Sequence, residues 1–253
     1  MSLLETVALT RSFGSHVAVD RVDFALEKGE VRAVIGPNGA GKTVFLHLLS
    51  GLLPPTAGRL SLDGVDISRL GIVDRVRLGL ARSFQVTNLF PNLTVAENVR
   101  LAAQPRTRTL ALWHAPNVRH RIERRVDELL DQVGLGFAAR RFPSELSHGD
   151  QRHLEIVLAL ASNPRVLLLD EPTAGMSLGE TGETVALIRA LNRDTGVTIV
   201  IVEHDMRVIL ELATRVTVLD HGRVLVEGTP REVGADSRVQ TAYLGHRRRV
   251  AGL

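Results

Sequence analysis

The chain has 253 residues, 44% of them hydrophobic and 23% charged, and no cysteine. This is ample length for a sizeable core and excludes disulfides and thiolate metal sites. The 31 basic and 28 acidic residues nearly cancel, leaving +3, and an aromatic fraction of 4% is poor provision for stacking bases; the pI near 10.1 therefore reflects arginine chemistry rather than a nucleic-acid-binding surface.

No apolar run reaches the about 18–20 residues of a membrane span. The start, Met1-Ser2-Leu3-Leu4-Glu5, has none of the parts of a signal peptide. Residues 4–9 and 17–26 read as strands, with Asp20-Arg21 a bulge or turn in the second. Phe13, between them, is either a core residue or a flat surface on which a purine can stack, and on sequence alone core is favoured.

The apolar run of residues 31–35 is a third strand, and it ends in Gly36-Pro37-Asn38-Gly39-Ala40-Gly41-Lys42-Thr43, with a helix-length segment opening at Lys42. Strand, GxxxxGK[ST] and helix in this order form a P-loop. The glycines let backbone N–H groups close on a phosphate, and the positive end of the helix adds to the attraction. Lys42 is one of only two lysines in an arginine-rich chain, and it stands where a compact ammonium is wanted for the β- and γ-phosphates. The Thr43 hydroxyl is suited to Mg²⁺. The chain is expected to bind a nucleoside triphosphate.

After a breaker-rich loop at 51–58, Asp63-Gly64 predicts a hairpin between residues 59–62 and 65–67, followed by a short helix within 68–80 and a strand at 81–84. Residues 90–164 change texture. Helix-period positions in 94–103, 118–133 and 148–162, clearest at Ile122, Val126, Leu129, Leu130 and Val133, predict a mainly helical insertion. The α/β alternation then resumes with a strand at 166–169, a helix at 179–191, a strand at 197–202, a helix at 206–213 and a final hairpin around His221-Gly222. The tail Arg247-Arg248-Arg249 reads as a solvated end.

Three further stretches carry chemistry. The strand of 166–169 ends in Asp170-Glu171; at the carboxyl end of a parallel strand, Asp170 is placed to hold Mg²⁺ through its water shell and Glu171 to polarise an attacking water. Ser147, in Leu146-Ser147-His148-Gly149, is an N-cap whose helix start is also suited to an anion. His204 follows the strand of 197–202, where a histidine is ordinarily structural or exposed.

The order of these pieces, with Gln85 between P-loop and Leu-Ser-x-Gly, resembles the ATP-binding-cassette ATPases over essentially the whole chain. The resemblance implies a P-loop NTPase (RecA-like) α/β core at 1–89 and 165–253, with an antiparallel β subdomain and an inserted α-helical subdomain at 90–164. It implies that Phe13 stacks on adenine and that Gly36 to Thr43 hold the phosphates. Gln85 would be the lid glutamine sensing Mg²⁺ and the attacking water, and Ser147 and Gly149 the signature residues that close on the γ-phosphate of a second subunit. Asp170 would be the Mg²⁺-associated aspartate, Glu171 the catalytic glutamate and His204 the γ-phosphate switch. The pattern departs at His148 (usually glycine), Asp150 (usually glutamine) and Ser177 (usually aspartate), the last putting cross-dimer coupling in question.

Phe84-Gln85, the run 152–156, Ala174-Gly175-Met176, the run 202–206 and Ala242-Tyr243-Leu244-Gly245 are similar to importers of branched-chain amino acids. The implied function is a cytoplasmic ATPase subunit, peripheral on the inner face of the membrane, binding ATP and Mg²⁺. It would pair with a second ATPase subunit, identical or a paralogue, on integral membrane permeases docked near residues 86–93, and be served indirectly by a solute-binding protein. The alternatives are a urea or short-amide importer, a lipopolysaccharide exporter and a non-transport cassette ATPase acting on nucleic acid. Nucleic acid is not the expected partner.

Overall fold

The computed structural model describes residues 2–83, 89–104 and 116–250. Two long strands, β1 (Ser2–Phe13) and β2 (His16–Glu27), pair antiparallel and are joined by the β4 (Ala57–Leu62) and β5 (Val65–Asp66) hairpin in a four-stranded sheet ordered β2-β1-β4-β5. Both strands are longer than their apolar patterns suggest. The pairing absorbs register shifts opposite Val19 and Val22, where Arg21 takes a left-handed φ of 49°; this is the bulge foreseen at Asp20-Arg21. The β4–β5 turn puts Asp63 (φ 51°) and Gly64 (φ 78°) in the left-handed region that a two-residue hairpin needs.

The second sheet runs β10-β9-β3-β8-β7-β6. β3 (Val31–Ile35), β6 (Leu80–Arg82), β7 (Val166–Asp170), β8 (Thr198–Val202) and β9 (Arg215–Asp220) are parallel, and β10 (Arg223–Gly228) returns antiparallel through His221-Gly222. β3, β7 and β8 are buried at every position. That explains their continuous apolar runs, since a parallel sheet covered on both faces has no polar side.

Helix α1 (Lys42–Ser50) lies between the sheets, and Phe45, Leu46, Leu48 and Leu49 join a core with Leu4, Leu9, Phe24 and Val34. Its far end is held by Arg75 on α2 (Ile72–Arg77), a fully buried arginine. Arg75 donates to the carbonyls of Leu49 (2.9 Å), Leu70 (2.9 Å), Ser68 (3.2 Å) and Leu48. Burial, with no carboxylate partner among the described residues, pulls its pKa down to about 10. The carbonyls at the negative end of α1 supply the compensation instead.

Between β6 and β7 the described residues contain no strand. α3 (Val95–Ala102), capped by a Thr94–Glu97 box, packs with α4 (Pro116–Gln132) and α5 (His148–Leu160) around Val99, Val126, Leu129, Leu130, Leu154 and Val157. The predicted helical insertion is thus seen in this stretch. After β7 come α6 (Leu178–Thr195) and α7 (Met206–Leu212), and the chain closes with α8 (Pro230–Ala235) and α9 (Ser237–Val250). These last two helices were not anticipated, although Thr229-Pro230-Arg231-Glu232 spells a capping box with proline at the first helical position.

Candidate functional site

β3, β7 and β8 end on the same edge of the sheet, and their C-terminal turns form the site. The P-loop leaves β3 with Gly36 at φ 152°, Gly39 at 79° and Gly41 at 98°. A Cβ on Gly36 would fall 2.1 Å from the Leu219 carbonyl oxygen, and one on Gly41 would fall 2.4 Å from that of Ala18. These glycines answer both a backbone requirement and a close approach by β9 and β2. The loop is tied further by Ala40 N–H to Pro37 O at 3.1 Å and Gly222 N–H to Ala40 O at 3.0 Å. Gly41 caps α1 without a side chain, and no acidic residue stands in the first turn. The N–H groups there are left for an anion.

Lys42 donates from Nζ to the carbonyls of Gly36 (2.7 Å) and Pro37 (3.1 Å). Burial pushes its ammonium pKa down, opposed by the Glu171 and Asp170 carboxylates. Thr43 is exposed beside it.

Asp170 ends β7 almost fully buried and accepts a 2.7 Å bond at Oδ2 from Nη2 of Arg82 on β6. Oδ1 has no hydrogen bond among the described residues. His47, on α1, feels the same pair: burial lowers its pKa, as does the Arg82 charge, against Asp170.

Glu171 follows in the left-handed region, at φ 45°. A non-glycine residue held there carries a conformational cost of order 1–3 kcal/mol, characteristic of functional turns. Its N–H reaches Val202 O at 2.9 Å, and its carbonyl accepts from Arg152 Nη2 at 3.0 Å. The side chain, 30% exposed, points its Oε1 to within 3.9 Å of His204 Nδ1. Glu203, buried beneath, accepts from the Thr173 hydroxyl (2.6 Å), Thr173 N–H (3.2 Å) and His204 N–H (3.1 Å), tying the turns after β7 and β8 together.

Phe13 is 44% exposed, with the Arg11 guanidinium 4.7 Å from its ring centroid. The core reading favoured by sequence alone is corrected: β1 ends here beyond the edge of the packed core, leaving ring area open. Ser147 caps α5 by accepting from Asp150 N–H at 3.1 Å, and Gly149 N–H donates to Glu180 Oε1 at 3.2 Å. Neither residue hydrogen-bonds the P-loop, Asp170, Glu171 or His204 among the described residues. Ser177 caps α6 and exchanges bonds with Glu180, whose Oε2 accepts from its hydroxyl (2.7 Å) and N–H (3.0 Å). Gln85 lies outside the described residues.

Sequence reasoning missed Arg82, Glu203 and Tyr243. Burial pushes the pKa of the Tyr243 hydroxyl, on α9, up, opposed by the backbone N–H of Gly36. Tyr243 stands in a helix that was not read, and Arg82 and Glu203 are charged residues inside apolar strand ends, where alternation gives no cue.

A P-loop at the end of β3, a buried aspartate at the end of β7 and an adjoining glutamate facing a histidine define a class of nucleotide-hydrolysing cassettes. The family described as ABC transporter matches residues 19–174, and that described as branched-chain amino acid ATP-binding cassette transporter matches residues 223–248. The chain belongs to the ABC transporter family and is an ATPase of it.

Among curated relatives, the high-affinity branched-chain amino acid transport ATP-binding protein BraF of Pseudomonas aeruginosa is 39% identical over 251 residues, 96% of this chain and 98% of the relative. LivG of Escherichia coli, of the same description, is 36% identical over 249 residues, again 96% and 98%. The methionine import protein MetN of Caulobacter vibrioides is 39% identical over 241 residues, but these make up 68% of its length. A nucleotide-free ATP-binding cassette from an ABC transporter matches the fold with a TM-score of 0.84 at 27% identity, over 96% of this chain and 99% of that one. A dimeric post-hydrolysis cassette bound to ADP and Pi matches with 0.76 at 28% identity, over 90% and 99%. No helix among the described residues is long and apolar enough to cross a membrane.

Proposed function

We propose that this chain is the ATP-hydrolysing subunit of a membrane importer for branched-chain amino acids. The observation carrying this cargo is the end-to-end similarity to BraF and LivG together with the C-terminal match at residues 223–248, a region that contains none of the P-loop, Asp170, Glu171 and His204. The methionine importer is the competing reading, favoured by equal identity over a shorter share of that protein.

In this reading, Gly36, Pro37, Asn38, Gly39, Ala40 and Gly41 wrap the phosphates with backbone N–H groups. Lys42 exchanges its two carbonyl contacts for the β- and γ-phosphates, and Phe13 stacks on the adenine. Thr43 and Asp170 present hard oxygens, and the described residues hold no group of three acidic or histidine ligands. That donor set fits magnesium held mainly by phosphate and water rather than by a protein cage. Magnesium, when bound, neutralises charge developing on the transferred phosphoryl group. Glu171 accepts a proton from the attacking water, and His204, 3.9 Å away, donates toward the γ-phosphate.

Ser147 and Gly149 stand apart from this chain's own P-loop contacts, which supports their serving the nucleotide of a second subunit. ATP then closes a dimer, of two copies or with a paralogue, and hydrolysis opens it. Gln85 and the adjoining segment carry closure to a permease at the inner membrane face, with a solute-binding protein delivering cargo on the other side.

The test compares wild type with Glu171→Gln. The variant is expected to lose hydrolysis, by about 100-fold or more if the carboxylate is the general base, and to form an ATP-dependent dimer in light scattering. Undiminished turnover with no dimer would overturn the mechanism. Uptake of leucine against methionine in cells lacking the chain decides the cargo.

A further inference from the structure

Among the described residues Arg32 and Arg75 are buried, Arg152 is buried against Glu155 and the Glu171 carbonyl, and the Arg82 side chain is 7% exposed; their partners differ in kind. Arg75 spends its guanidinium on backbone carbonyls, and Arg32 on Glu30, Thr217, Glu227 and the Ala25 carbonyl. Among the described residues Arg82 makes one hydrogen bond, to Asp170 Oδ2, while its Nε and Nη1 are buried without a partner there. Its side chain is 7% exposed and that of Asp170 2%.

A buried ion pair recovers little of its desolvation cost, and orphaned donors add to that cost. Arg82 is therefore poorly explained as a fold stabiliser, although it stands in the wall of a cavity. That cavity, of about 280 Å³, is walled by apolar residues such as Ile72, Val76 and Leu158 and by the polar Ser50, Glu155 and Ser162. What Arg82 does achieve is local to Asp170. It engages one carboxylate oxygen, leaves the other without a hydrogen bond among the described residues and keeps the group beside a positive charge.

We propose that Arg82 is the positioning residue of Asp170, a resident counter-cation that orients the carboxylate and sets the magnesium concentration at which the nucleotide site loads. This rests on the reading of Asp170 as the magnesium-associated aspartate. A divalent cation approaching that carboxylate meets the Arg82 charge within a low-dielectric setting, where like charges repel far more strongly than in water. The arginine thus holds magnesium affinity below what Asp170 alone would give.

The experiment is a magnesium titration of fluorescent ATP-analogue binding to the full chain carrying Glu171→Gln, so that no hydrolysis intervenes. Arg82→Gln and Arg82→Met are expected to lower the half-saturating magnesium about three- to tenfold, whereas Arg82→Lys, which keeps the charge, stays near the parent. Arg82→Gln retains an N–H for Asp170 and keeps the test available where Arg82→Met fails to fold. Asp170→Asn is expected to raise the half-saturating magnesium. An unchanged or raised value in both neutral variants, with Asp170→Asn raised, overturns the role of Arg82 alone. An unchanged value in Asp170→Asn overturns the reading of Asp170 and the proposal with it.

Discussion

Phe13 offers a test of nucleotide binding that hardly touches the fold. Its ring is 44% exposed at the end of β1, with Arg11 over it at 4.7 Å and Arg11 Nη1 anchored on Pro54 O at 2.9 Å. The guanidinium covers one face, so the exposed area lies largely on the other, where a base can stack. Stacking a base on an aromatic ring is worth about 1–3 kcal/mol by truncation, and about 1.4 kcal/mol is a factor of ten. Phe13→Ala should therefore weaken ATP binding roughly 5- to 150-fold. Because the ring is already half in solvent, the same change should cost less than about 1.5 kcal/mol of stability. Phe13→Tyr should bind within about twofold of wild type, since the π-face is kept, and ATP and GTP should lose affinity together because stacking does not read base edges. Equilibrium titration with a fluorescent nucleotide, beside chemical denaturation of each variant, gives both quantities. ATP affinity unchanged in a folded Phe13→Ala protein would refute the stacking role.

Two further predictions concern stability. Arg75→Met would strip four carbonyls at the end of α1 and its surroundings of their donor; the expected loss is about 2–4 kcal/mol in denaturant unfolding, net of the apolar surface methionine regains, and a loss below about 0.5 kcal/mol would contradict it. His153 is buried against the Thr184 hydroxyl at 3.1 Å, and burial holds its pKa below 6.5. The folded state then binds fewer protons than the unfolded chain, so this contribution is complete above pH 6.5 and is lost as pH falls from there toward the folded pKa. Melting temperature followed downward through this range should decline less steeply in His153→Gln than in wild type; identical slopes would show that His153 does not carry the effect.

The elements that could be read were those whose local chemistry leaves one choice. A glycine-rich turn between an apolar strand and a helix, Asp63-Gly64 and His221-Gly222 between strand-like runs, and Thr94 or Ser147 ahead of helical periodicity all reappear in the structure within a few residues. α8 and α9 were passed over because the basic end of α9, Arg247-Arg248-Arg249, drew the reading toward a solvated tail, although the Thr229–Glu232 capping box was present.

The site divides in the same way. Lys42, Thr43, Asp170 and Glu171 follow from sequence neighbours alone. Arg82 and Glu203 matter through partners 88 and 30 residues away, Asp170 and Thr173, and no periodicity reports such pairings. Phe13 was misjudged because an aromatic residue's burial depends on where its strand leaves the sheet, which a local pattern does not contain.

Helix α1 joins these observations in another way. One end is open to an anion, and the other is clamped by a cation that has no carboxylate partner among the described residues. The peptide dipoles between them form a short polarised rod, and Arg75 at its base belongs to the helix immediately before β6, the strand bearing Arg82. Charge placed on the P-loop thus leans on a backbone frame that continues within seven positions, 75 to 82, to the counter-ion of Asp170. The P-loop and Asp170 share a single mechanical footing in this chain.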